Sequence, residues 1–240
     1  MPQTWIYALK QYNYPVNLAE NKYANNFQRF FKQQIQGDRN STIDFENYFR
    51  SNTQEIGAWC EVVFWKLYSQ KGRRDENTKK CWDFWTREKI TGKKLYKAAK
   101  IFINTMDRSS FNEYRKLWLF YSSRTIAVLA TPISFLEPDS FPMVDTRIAK
   151  WVDSQLDRFN KGDSGGPQLI KSQYGQNKST VLTMADFDFY LHWIYWTRHM
   201  ANKLSKQTEV KWRARDVEMA VFTAWGDKGC PHPRLSLHCI

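Results

Sequence analysis

The amino-acid sequence predicts an all-α protein, and three observations carry that prediction. Through residues 53–69, Ile56, Trp59, Cys60, Val63, Phe64, Leu67 and Tyr68 recur at three- and four-residue steps and draw one apolar face on a helix. No stretch alternates apolar and polar residues between hairpin turns, as paired strands require. Residues 161–180, rich in Gly, Ser, Lys and Asn, form a flexible surface loop set between two helical stretches.

Taken in order, the first forty residues mix aromatics with Asn and Gln. Tyr12-Asn13-Tyr14-Pro15 is a break, and residues 22–34 read as a helix with Phe27, Phe30 and Phe31 on one side. After 53–69, helices are predicted over 76–88, carrying Trp82 and Trp85, over 94–106 and over 111–120. Residues 125–135 are the most apolar stretch, where strand propensity competes with a buried helix that meets a Pro132 bend. Glu137-Pro138-Asp139-Ser140 is a turn, and Asp145 opens a helix whose inner face is Ile148, Ala149, Val152 and Leu156. Helices resume over 185–205 and 216–225. In the last of these Asp216 reads as the cap, Glu218 as first-turn charge compensation and Gly226 as the stop. The resulting organisation is an N-terminal helical segment, 1–52, packing with the C-terminal part. A core (53–160), the loop (161–180) and a C-terminal helical region with an irregular tail (181–240) follow.

A chain of 240 residues buries a substantial core as one domain or two. Its hydrophobic content of 42% excludes a disordered polymer, despite a mean hydropathy of -0.65. A net charge of +12 favours a polyanionic partner, and 11 Trp supply rings that stack on bases or fill a core equally well. No apolar run approaches the roughly 18–20 residues of a membrane helix, so no membrane partner is expected. The start, Met1-Pro2-Gln3-Thr4-Trp5, lacks the layout of a secretory signal. Cys60, Cys81, Cys230 and Cys239 are too few and too scattered for a disulfide scaffold, which points to a reducing, cytoplasmic compartment; a monomer is expected. The spacing of Cys230, His232, His238 and Cys239 matches no usual zinc pattern, so neither metal nor cofactor is expected.

Gly162-Asp163-Ser164-Gly165-Gly166-Pro167 matches the nucleophile segment of trypsin-like serine proteases letter for letter. That chemistry needs an oriented base, and in those enzymes the histidine lies far upstream on a β-barrel. Here His192, His199, His232 and His238 all follow Ser164, and the flanks are helical. The motif reads as a Gly-Ser turn.

The most informative run is Phe141-Pro142-Met143-Val144-Asp145-Thr146-Arg147-Ile148-Ala149-Lys150. On physical grounds alone, Asp145 or Thr146 caps a helix entered from a Pro-containing turn. The same run resembles the catalytic-aspartate segment of the helix-hairpin-helix DNA glycosylases, in which a Val-Asp-Thr-His type sequence opens a helix. Glu61-Val62-Val63-Phe64-Trp65-Lys66-Leu67-Tyr68-Ser69-Gln70 is similar to that superfamily's early helix, with Gln70 at the place of a glutamine that probes the DNA. Leu119-Phe120-Tyr121-Ser122-Ser123-Arg124-Thr125-Ile126-Ala127 occupies the place of the hairpin. The resemblance covers residues 55–155 and implies a two-lobed helical fold. Three departures accompany it. Tyr121 and Ser123 replace the hairpin glycines, whose amides approach a phosphate in relatives. Thr125 stands where strand-cleaving relatives carry a lysine nucleophile. Too few cysteines gather near the C-terminus for an iron–sulfur cluster.

The resemblance implies hydrolytic removal of a damaged or mispaired base from duplex DNA without strand cleavage. Asp145 would stabilise the positive charge that builds on the sugar and direct a water, a role for which helix-terminal amides support a negative group. Gln70 would fill the vacated space of an extruded base, with Tyr121 near the duplex at the altered hairpin. Phosphate contacts are expected from Lys71, Arg73, Arg74, Lys79 and Lys80, and from Ser123, Arg124, Thr125 and Arg147. Trp193 and Trp196, crowded with Tyr195, His192 and His199, offer a pocket for the base or part of the core. Two alternatives share these residues: a non-catalytic nucleic-acid binder of the same fold, and a structural or protein-interaction domain. A two-metal nuclease is disfavoured because no compact carboxylate group is present.

Overall fold

The computed structural model describes residues 2–22, 31, 34–118, 126–162, 165–174, 181–225 and 237. Among them the regular elements are helical: α1 (Pro2–Lys10), α2 (Arg39–Ser51), α3 (Ile56–Leu67), α4 (Arg74–Arg87), α5 (Gly92–Thr105), α6 (Arg108–Lys116), α7 (Ile126–Leu136), α8 (Thr146–Gly162), α9 (Phe187–Gln207) and α10 (Ala214–Trp225). Short 3-10 turns lie at Leu18–Glu20 and Met184–Asp186, and extended backbone pairs at an isolated bridge, Val16 to Ile35. The protein is all-α.

Two compact units divide the chain, and both are discontinuous. A mid-chain unit takes Tyr14–Ser123 with Thr131–Leu136, and a terminal unit takes Met1–Asn13, Arg124–Ala130 and Glu137–Ile240. The division after residue 13 falls inside the break at Tyr12–Pro15.

The mid-chain unit is built round α3, with α2, α4 and α5 packed against it. Every residue from Gly57 to Trp65 is buried, so α3 has no exposed face. A helix apolar on all sides belongs in an interior. The segment before α3 is tied to it by the polar tip of an aromatic side chain: the Trp59 indole donates to the Thr53 carbonyl at 2.9 Å. From α4, Trp85 donates to Leu117 at 3.0 Å. Phe135, at the end of α7, packs edge-on to Phe45, Phe49 and Trp65 with ring centroids 5.1–6.2 Å apart. The apolar stretch 125–135 is therefore helical across its described part, and α7 continues through Pro132 instead of bending away there.

The sequence reading took residues 1–52 as a helical segment but placed neither α1 nor α2 within it. In α2 the inward stripe is Thr42, Phe45, Glu46 and Phe49, and its two polar members hide the helical period. The N-terminus is nonetheless well marked, since the Asp38 carboxylate accepts the Ser41 amide at 2.7 Å. Gly37, at φ 100°, turns the chain into that cap with no room for a side chain, because a Cβ there would lie 2.3 Å from the Pro15 nitrogen. The helix expected over 22–34 falls largely outside the described residues.

The terminal unit is built round α10, on which α1, α8 and α9 pack. All residues from Ala214 to Val221 are buried. Trp5 of α1, Trp151 and Phe159 of α8, and Trp196 of α9 form one aromatic cluster, with centroid separations of 5.1–6.5 Å. The loop expected at 161–180 is not loose where it is described. The Asn160 side chain exchanges two hydrogen bonds with the backbone of Leu169, at 2.8 and 2.9 Å. Asp153 accepts both the amide and the hydroxyl of Ser172, at 2.9 and 2.8 Å. Leu169 and Ser172 are buried as a result. Ser164 lies outside the described residues.

Removing the Phe135 ring leaves a void among three other rings. Phe135→Ala is expected to lower unfolding free energy by about 3–5 kcal/mol, whereas Ile101→Ala, at a 47% exposed position, stays within about 0.5 kcal/mol. Urea denaturation followed by tryptophan fluorescence measures both.

Candidate functional site

Asp145 stands at the N-terminus of α8. Its Oδ1 accepts the amides of Arg147 at 2.9 Å and Ile148 at 3.0 Å, and its carbonyl accepts the Ala149 amide at 3.0 Å. That is the geometry of a helix cap. The side chain is half-buried, while Phe141, Pro142, Met143 and Val144 before it are sealed.

Those preceding residues are not helical, and backbone carbonyls in an interior need donors from elsewhere. Helices α9 and α10 supply them one after another. The amides of Arg215 and Ala214, in the first turn of α10, donate to Pro138 at 3.0 Å and Asp139 at 3.1 Å. From α9, Arg198 Nε donates to the Ser140 carbonyl at 2.7 Å while its guanidinium lies over the Phe141 ring at 4.7 Å. The Tyr190 hydroxyl reaches the Pro142 carbonyl at 3.4 Å, and the Trp193 indole donates to Met143 at 2.9 Å. Burial pushes the Tyr190 phenol up, so it remains a neutral donor, and burial holds the Arg198 guanidinium below its usual range. Asp145 thus follows a run whose path is fixed at five carbonyls.

The start of α10 differs from the sequence reading. The helix begins at Ala214, two residues before Asp216, so Asp216 is not the cap. Its carboxylate closes back on the Arg213 amide at 3.0 Å and on the Arg213 guanidinium at 2.8 Å. Glu218 is not a surface charge either, being buried and paired with Arg215, which is itself fully buried. The Arg215 guanidinium also lies 5.9 Å from the Tyr12 ring centroid.

The base-pocket reading of Trp193 and Trp196 is corrected by their burial. They are 0% and 2% exposed, stacked on each other at 5.4 Å and flanked by Trp151 and Phe159. No ring face is left for a base. In the same unit, the Arg147 guanidinium lies over Phe222 at 4.7 Å, which occupies its face with an aromatic neighbour.

In the mid-chain unit, Gln70 is exposed just beyond α3, and its carbonyl receives the amides of Arg73 and Arg74 at 2.8 and 2.9 Å. Lys71 and Arg73 are exposed beside it. Arg74 is not available to a phosphate, because it is buried between Phe64 and Tyr68 and bonded to Glu20 at 2.7 Å. Lys79 pairs with Asp83 at 2.5 Å, and Lys80 pairs with Glu76. The basic cluster after Gln70 therefore reduces to Lys71 and Arg73. Tyr121, Ser123, Arg124 and Thr125 lie outside the described residues.

What the sequence reading missed is the support for Asp145. A signal existed: Tyr190, Trp193 and Thr197 share one helical stripe, and buried phenol and indole groups need polar partners. Among the described residues no group of three or more His, Cys, Asp and Glu side chains gathers as a metal site would. No helix among them is long and apolar enough to cross a membrane. Comparison with protein-family models, curated proteins and solved structures finds no match.

If Asp145 is the cap that fixes the start of α8, Asp145→Ala lowers stability by about 1 kcal/mol, and Asp145→Asn, itself a good cap, by much less. Thermal unfolding of the two variants tests this. Equal losses in both would transfer the effect from capping to charge.

Proposed function

We propose that this chain is a monofunctional, glycosylase-like protein that binds duplex DNA and hydrolyses the N-glycosidic bond of a damaged or mispaired base. The observation that supports the reading is Asp145: a half-buried carboxylate at a helix N-terminus, set at the end of a sealed run, within a sequence that resembles the glycosylase aspartate segment. Water adds to the anomeric carbon of the sugar, and the base departs with the electron pair of the broken bond and takes up a proton. Asp145 stabilises the positive charge on the sugar and receives the proton of the attacking water. Thr125, at the place of the lysine nucleophile, provides no amine for an imine, so the strand stays intact. Gln70, Lys71 and Arg73 are the exposed candidates for contact with DNA in the mid-chain unit.

The protein works as a monomer in a reducing, cytoplasmic setting. Cys60 and Cys81 suit that setting as buried thiols, since burial pushes both up and keeps them protonated.

Two observations favour a second reading, a DNA binder of the same fold without catalysis. Two amides converge on Asp145 Oδ1 as they do at ordinary helix caps, and both hairpin glycines of the resemblance are replaced. Duplexes carrying deaminated, oxidised, alkylated or mispaired bases, scored for alkali-labile abasic sites, separate the two. The glycosylase reading expects release of at least one base, reduced about 100-fold or more in Asp145→Asn with duplex binding retained. Undiminished release in that variant removes Asp145 from the chemistry. Binding without release from any duplex leaves the second reading.

A further inference from the structure

Helices α4 and α5 are adjacent in sequence and similar in length, yet their charges are arranged in opposite ways. On α4, each of Arg74, Lys79, Lys80 and Arg87 has a carboxylate partner. On α5, Gly-Lys-Lys-Leu-Tyr-Lys-Ala-Ala-Lys-Ile-Phe-Ile-Asn-Thr contains four lysines and no carboxylate. Lys93, Lys94 and Lys97 are exposed and have no ion pair among the described residues.

Three of the four lysines also share a direction, and Lys94 lies about 60° to one side of it. At about 100° per residue, Lys93, Lys97, Lys100 and Asn104 fall within a stripe roughly 60° wide. That stripe lies opposite the buried Leu95, Ala99 and Phe102. Lys93 and Lys100 are about 10.5 Å apart along the axis. Lys93 and Lys94 occupy the first turn, where the helix dipole opposes positive charge. The row is held rigidly. A Cβ at Gly92 would lie 2.5 Å from the Gln54 carbonyl oxygen, so the first turn sits directly against that backbone. The Thr91 hydroxyl caps it by accepting the Lys94 amide at 3.2 Å.

We propose that the exposed face of α5 is a docking surface for the phosphate backbone of duplex DNA, with Lys93, Lys94 and Lys97 making the contacts and Lys100 continuing the row. Duplex DNA carries one negative charge per roughly 1.7 Å of axis, so a row of this length lies beside about six. A single strand is the poorer match, because proteins that bind it stack bases on exposed rings. On α5, Phe102 is buried and Tyr96 half-buried. A membrane surface fits less well again. Of the apolar residues of α5, Leu95, Ala99 and Phe102 are buried and Tyr96, Ala98 and Ile103 half-buried, which leaves Ile101, 47% exposed, as a single apolar group and no insertion face. The inference rests on the reading of this chain as a duplex binder and is independent of base removal.

The test is fluorescence anisotropy of the full chain with an undamaged duplex of about 20 base pairs, over a range of salt concentrations. Lys93→Gln, Lys94→Gln and Lys97→Gln are combined in one variant. A second variant of equal charge combines Arg87→Gln, Lys116→Gln and Lys211→Gln, three exposed cations with carboxylate partners. The α5 variant is expected to reduce the slope of log affinity against log salt by about 2–3, near 0.9 for each lost phosphate contact, and to bind at least tenfold more weakly. The control variant is expected to change the slope by less than about 1. Equal losses in the two variants would reduce the effect to net charge and overturn the proposal. An α5 variant that binds like the wild type, while Lys71→Gln with Arg73→Gln does not, overturns it and leaves the glycosylase reading standing. Wild-type chain that binds no duplex overturns both. Tighter binding to anionic phospholipid vesicles than to duplex, lost with the same three lysines, would reassign the surface to a membrane.

Discussion

A helix that starts inside a protein has amides with no partner in its own first turn, and α10 starts inside. Its leading amides are satisfied by the carbonyls of Pro138 and Asp139, and the Arg213 amide by the Asp216 carboxylate. The same turn carries Arg213, Arg215, Asp216 and Glu218 into the core, where each cation pairs with a carboxylate three residues on. A buried pair of this kind adds little net stability when intact, but losing one partner strands the other in a medium that cannot solvate it. The start of α10 is therefore fixed in place, and through Pro138 and Asp139 it fixes the run that leads to Asp145. A segment some seventy residues further along the chain decides where the carboxylate stands.

That dependence explains what the sequence disclosed and what it concealed. Periodic apolar residues announced the existence of α3 and α8, because a helix with an interior face writes that face into its spacing. The same reasoning understated α3, which is buried on every side, and passed over α2, whose inward stripe includes Thr42 and Glu46. The segment after α8 looked free from its Gly and Ser content. Its restraint comes from Asp153, Asn160 and Asp186, which sit on other elements and leave no mark on the composition of the segment itself. Likewise, a cap at Asp145 was legible from local chemistry. The five donors that hold the approach to it were not, since they come from helices distant in sequence.

Aromatic richness left two readings open for a related reason. Trp193 and Trp196 were plausible as a platform for a base because crowded rings with polar tips suit both an interior and a ligand. What separates the two uses is whether a ring face meets solvent, a property of packing. Here Trp193 spends its polar atom on the Met143 carbonyl and its faces on other rings. The aromatic cluster consequently gives the run before Asp145 a rigid wall.

Charge raises the same distinction between content and arrangement. A net excess of +12 says that the chain attracts anions and nothing about where. The dense basic stretch around α4 looked like the place, yet carboxylates one helical turn away, or across from Glu20, neutralise most of it. A helix with lysines and no acids differs in kind: its field adds along the row instead of cancelling, and its first turn adds the dipole to that field. Held against the backbone at residues 53–54, the first turn of that helix keeps its backbone in place, and with it the points from which the lysine side chains project. A fixed first turn, together with Lys93, Lys94 and Lys97 having no ion pair among the described residues, is what distinguishes α5 from α4.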